Sequence, residues 1–93
     1  MYDPLLNAFI AVADEGSFTK ASEKLYVSPT GVMKKINALE DNLGVKLFSR
    51  TASGVALTPA GKVIYRDAKF MMDFSKKSIA EAKAAETRYD TTF

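Results

Sequence analysis

The stretch YVSPTGVMKKINALE, residues 26–40, carries two patterns at once. Val32, Ile36 and Leu39 recur on a helical period, continued by Leu43, while Lys34 and Lys35 stand side by side in its middle. At about 100° per residue, Ile36, Leu39 and Leu43 fall within about 40° of Val32, so that side is expected in the core. Thr30, Lys34, Asn37 and Asp41 fall near the opposite pole, with Met33 beside them. Lys35 lies on the flank, where its stem packs and its ammonium reaches sideways. Ser28 is a capping residue, Pro29 suits the first helical position and Gly44 is a stop, which predicts a helix over residues 29–42. A charged outer face is most often simply solvated. The competing reading is a face that meets a polyanion, and the flanking sequence decides between them.

Upstream, Asp3 and Pro4 offer a cap and a helix start, and Leu5, Leu6, Phe9, Ile10, Val12 and Ala13 make an apolar face closed by Gly16. Ser17 or Thr19 caps a short second helix, FTKASEKL, with Phe18, Ala21 and Leu25 inward. The connector YVS then leads into the lysine-bearing helix. Downstream, VKLFSR (45–50) and VALT (55–58) read as two short strands around the turn TASG. Thr58 and Pro59 repeat the cap-plus-proline device and open a long helix over residues 59–88, with YDTTF expected to fray. Two short helices joined by a tight turn, the second capped and basic, make a helix-turn-helix candidate, and the hairpin adds a wing. The expected fold is mainly α: three helices and a two-stranded wing over residues 1–58, then a long helix and tail over residues 59–93.

Composition narrows the function. The 93 residues suit one small domain, and 13 Lys and Arg against 11 Asp and Glu give only +2. Asp3 and Asp14 are the only charges before Glu15, so from there on 13 basic residues face 9 acidic ones, or +4. With no cysteine and no histidine, disulfide scaffolds, thiol nucleophiles, Cys/His zinc sites and imidazole acid–base chemistry are excluded. No glycine-rich phosphate loop or nucleophile motif occurs, so neither an enzyme nor a metal or cofactor site is expected. No apolar run approaches the ~20 residues of a membrane span, and an acid stands where a signal peptide carries lysines. A cytoplasmic protein is expected.

These residues also carry a family resemblance. Leu6, Phe9 and Val12, GSFTKAS (16–22), Leu25, Ser28, Val32, Ile36, Leu39-Glu40, Leu43-Gly44, Leu47, Phe48, Arg50 and LTPAG (57–61) resemble the winged helix-turn-helix domain of LysR-type transcriptional regulators in order and spacing. The resemblance implies a dimeric bacterial regulator with its recognition helix in the major groove of DNA and its wing at the adjacent minor groove. It also implies a long helix that dimerises. Pro29 and Thr30 stand where the family usually has glutamine and then proline, serine or alanine; Gly31 replaces alanine, Met33 serine and Lys35 glutamine. Met33 offers only an apolar contact, such as a thymine methyl, so base readout is expected to be unusual while phosphate anchoring stays intact.

The expected DNA-contacting set is Thr19, Ser28, Pro29, Thr30, Met33, Lys34, Lys35, Asn37, Arg50 and Ser53. Arg50 has two readings, a merely exposed residue after a buried Phe48 or a wing contact to DNA. Thr19 likewise either caps its helix or presents its hydroxyl to a phosphate.

In the long helix, Ile64, Ala68, Met71, Ser75, Ile79 and Ala82 line one row, and Val63, Phe70 and Phe74 a second about 100° away. One row covers the chain's own body; two point to a partner. The second is also expected to cover Leu5 and Phe9. Ile64, Ala68, Met71, Phe74, Ser75, Ile79 and Ala82 are the residues expected in a homodimer contact. The family's larger inducer-binding domain is not among these residues, so a DNA-binding fragment is expected, without a small-molecule inducer site. A competing reading is a stand-alone decoy that pairs its long helix with a full-length regulator, supported by the departures at Pro29 and Met33.

Overall fold

The computed structural model of the chain describes residues 4–91. The elements run α1 (Leu5–Glu15), α2 (Phe18–Leu25), α3 (Pro29–Leu43), β1 (Phe48–Thr51), β2 (Gly54–Leu57) and α4 (Pro59–Thr91). The expected cap Asp3 lies outside the described residues. Pro4 precedes α1 with its carbonyl accepting the Asn7 N–H at 3.2 Å. Gly16 ends α1 at φ 65°, donating its N–H to the Val12 carbonyl, because a left-handed residue lets the chain turn while serving an orphan carbonyl.

Ser17, not Thr19, caps α2: its Oγ accepts the Lys20 N–H at 3.2 Å. Thr19 therefore sits inside the first turn with its side chain exposed. The connector ends α2 with Tyr26 in the left-handed region at φ 58°, an uncommon place for a bulky residue. Ser28 then caps α3, accepting the Gly31 N–H at 3.0 Å. Val32, Ile36 and Leu39 are buried as the period required, but Leu43 is 43% exposed. It lies in the last turn, at the rim of a shallow apolar groove with Leu6, Ile64 and Met71.

The first strand starts later than expected, the second one residue earlier, and the turn between them is tighter. Phe48 pairs with Leu57, Arg50 with Val55 and Thr51 with Gly54, leaving only Ala52 and Ser53 in the turn. Val45–Leu47 is connection rather than strand, because its polar groups are claimed elsewhere. Glu40, buried near the end of α3, accepts the Leu47 N–H at 2.7 Å, and Thr58 donates its hydroxyl to the Lys46 carbonyl at 2.6 Å. The Thr58 N–H meets the Leu47 carbonyl at 3.0 Å, and Thr58 Oγ1 also caps α4 by accepting the Gly61 N–H at 2.9 Å. The hairpin base is thus clamped between the end of α3 and the start of α4.

Phe9, Val12, Ala21, Val32, Ile36, Leu39 and Leu47 form the centre of the core, where α1, α2 and α3 meet. Aromatic rings extend it: Phe9 lies 5.3 Å from Phe48 and 6.5 Å from Tyr65 between centroids. Tyr65 on α4 donates to an Asp14 carboxylate oxygen on α1 at 2.5 Å, and that bond, with burial and the carboxylate's charge, holds the phenol above its ordinary pKa.

Helix α4 has 33 residues, about 50 Å at 1.5 Å each, and accounts for the long axis of a 61 × 26 × 21 Å molecule. It continues through Tyr89 to Thr91, and Thr92 and Phe93 lie outside the described residues. Its first row is divided, with Met71 and Ile79 exposed and the rest of it up to Ser75 turned inward. Ala68, 1% exposed, and half-buried Ile64 pack into the chain's own core with Tyr65 and Met72, and Ser75 is buried. Val63, Phe70 and Phe74 are the bare row and do not cover Leu5 and Phe9. Periodicity groups residues by face; the way α4 crosses α1 decides which face turns inward.

Candidate nucleic-acid interface

The outer face of α3 is built by its cap. Ser28 starts the helix, Pro29 sets its first turn, and the inward pull of Val32, Ile36 and Leu39 turns Thr30, Lys34, Lys35 and Asn37 to solvent. Met33 is half-buried, so it offers less surface than the polar residues around it. Two ion pairs form among the described residues, Lys46 with Glu40 at 3.8 Å and Arg66 with Asp67 at 3.0 Å. Lys20, Lys34, Lys35 and Arg50 enter neither, which leaves their ammonium and guanidinium groups available to an external anion.

A second surface lies between the start of α2 and the wing. An open cleft there brings together Ser17, Thr19, Lys20, Arg50 and Ser53. Thr19, Arg50 and Ser53, expected separately from sequence, therefore share one site, whereas Thr30, Lys34 and Asn37 belong to the α3 face. Arg50 projects from β1 with its guanidinium carbon 5.2 Å from the centroid of the Phe18 ring. The wing is tied down beside it, where the Val55 N–H donates to the Gly16 carbonyl at 3.3 Å. Gly54 keeps this approach close: a Cβ there would lie 2.8 Å from the Gly16 oxygen.

Two residues of the cleft, Lys20 and Phe18, are not among those expected from sequence. Lys20 follows Thr19 and was visible as a charge near a helix start. Phe18 is expected inward from its helical face, and nothing local signals that its ring also carries Arg50.

A capped basic helix held after a tight turn, beside a hairpin bearing an arginine, defines a winged helix-turn-helix protein. Residues 4–62 match the profile of the family described as "Bacterial regulatory helix-turn-helix protein, lysR family". The chain belongs to the LysR family: it is a DNA-binding transcriptional-regulator domain of that type. It is 42% identical over 80 residues to the HTH-type transcriptional regulator TfdS of Cupriavidus pinatubonensis, a match covering 86% of this chain and 27% of that protein. It is 49% identical over 70 residues to the HTH-type transcriptional activator AllS of Klebsiella pneumoniae, covering 74% of this chain and 26% of the relative. Among solved structures, the DNA-binding domain of CbnR in complex with DNA superposes with a TM-score of 0.83 at 35% identity, covering 91% of this chain and 98% of that one. The DNA-binding domain of BenM with benA site 1 DNA gives 0.84 at 32% identity, covering 90% and 94%. The chain spans about a quarter to a third of the length of the first curated relatives.

Proposed function

We propose that this chain binds double-stranded DNA sequence-specifically as a homodimer, with α3 in the major groove and the β1–β2 wing at the adjacent minor groove. The observation that carries the reading is the exposed face of Thr30, Lys34, Lys35 and Asn37 on a capped helix, beside a cleft holding Thr19, Lys20 and Arg50. Hydroxyl and amide groups among free cations suit base edges flanked by phosphates. Ser28, Pro29 and Met33 frame the contact, and Ser53 extends it at the wing tip. Residues 1–58 form the DNA-reading unit and residues 59–93 the dimerising one.

Dimerisation runs through the bare side of α4. Phe70 and Phe74 stack on each other at 6.2 Å and 21°, remain 69% and 54% exposed, and are joined by Val63, Met71 and Ile79. Ala82 extends this surface as a small residue that permits close helix approach. Two subunits so related present two recognition helices to half-sites about a symmetry axis, near 10 bp or a multiple apart. The role is binding rather than catalysis, in the cytoplasm.

Selection of bound duplexes from a random pool, followed by footprinting, tests this. Enrichment of a two-fold-related site supports it. A chain that dimerises but enriches no duplex overturns it and leaves the decoy reading, in which α4 captures a full-length regulator.

A further inference from the structure

Phe18 links the core to the wing. Its ring meets Phe48 edge-on at 6.2 Å, Phe48 leans on Phe9 at 5.3 Å, and Phe9 is fully buried. The same ring lies 5.2 Å beneath the guanidinium carbon of Arg50. Arg50 is exposed and stands on a two-stranded hairpin, an element with little rigidity of its own. A long side chain in that setting spreads over many rotamers and loses them on binding.

We infer that Phe18 is a positioning residue for Arg50, holding its guanidinium over the cleft at the start of α2 before DNA arrives. A cation–π contact draws on the charge of the guanidinium rather than on its hydrogen-bonding groups. Its N–H groups are left for phosphate or base oxygens, in a planar fork that a lysine ammonium cannot reproduce. The arginine therefore meets the DNA already oriented, and the wing's contact depends on a ring that does not itself touch the nucleic acid. This inference rests on the DNA-binding reading above.

The test uses the full chain and a fluorescein-labelled duplex recovered from a random pool by the wild type. Phe18→Leu is expected to weaken binding about two- to fivefold per subunit, the range of an exposed cation–π contact. Phe18→Tyr, which keeps the ring, is expected to restore it. Phe18→Leu in an Arg50→Ala background should cost nothing further, because the residue it positions is gone. In the free protein, the Arg50 δ-methylene protons should be shifted upfield by the ring current in the wild type and in Phe18→Tyr. Equal losses from Phe18→Leu with and without Arg50 would make the ring a core filler and overturn the inference. So would unshifted Arg50 protons in the wild type, a result that needs no variant to fold. A pool that enriches no duplex removes the DNA reading and this role with it; enrichment with a flat Phe18→Leu response removes only the role.

Discussion

The Glu40 carboxylate accepts the backbone N–H of Leu47 at 2.7 Å, and both residues are buried. This charge-assisted contact joins the end of α3 to the base of the wing and, with the Thr58 bonds to Lys46 and Leu47, sets the two surfaces of the candidate interface relative to one another. Glu40→Ala leaves a buried N–H unsatisfied and is expected to cost about 1–3 kcal/mol. Glu40→Gln, which keeps an acceptor, should cost less. Urea unfolding at matched protein concentration measures both; equal, negligible losses would show that water replaces the carboxylate freely.

Gly61 is fitted to the same clamp. A Cβ at this position would collide with the Leu47 carbonyl oxygen, which is backbone and has its place set by Thr58. Gly61→Ala is expected to destabilise by about 1–3 kcal/mol as an overpacked contact, despite alanine's better helix propensity. A thermal melt unchanged from wild type would show that α4 shifts at no cost.

Tyr26 invites the opposite substitution. Its backbone sits at φ 58° while its side chain is 95% exposed, so strain is borne without packing in return. Tyr26→Asn is expected to raise stability by about 0.5 kcal/mol, because asparagine tolerates the left-handed region. A fall in the denaturation midpoint would reveal a stabilising role for the phenol ring.

The two sides of α4 should respond differently. Phe70→Asp with Phe74→Asp changes only exposed residues, and is expected to give a folded monomer where the wild type sediments as a dimer at concentrations on the order of tens of micromolar. Ala68→Leu, at a core position, is expected to lower the melting temperature instead. A wild-type chain that sediments as a monomer would contradict the dimer.

Lys34, Lys35 and Arg50 separate base reading from phosphate anchoring. Lys35→Ala and Arg50→Ala are expected to weaken selected and scrambled duplexes about equally, each lowering the salt slope by roughly one per contact. Lys34→Ala, at the outward pole of α3, should cost about 1–3 kcal/mol and relax preference at one base position. Binding across a salt series measures all three. Equal, sequence-independent losses would make Lys34 another phosphate anchor, and no loss from any would remove this face from the interface.

Local signals were legible because they act over a few residues. Ser28-Pro29 and Thr58-Pro59 opened their helices, Gly16 and Gly44 closed theirs, and the spacing of Val32, Ile36 and Leu39 turned Lys34 outward without help from any other element. The ordered set of residues from Leu6 to Gly61 was enough to indicate the family. Tertiary structure alone decided what depends on partners distant in sequence. It placed Ala68 against the body and left Phe70 bare, laid Arg50 on Phe18, and brought Leu47 under Gly61. A helical period states which side chains share a face, but only the packing of α4 on α1 and of the wing on α2 determines what each face meets.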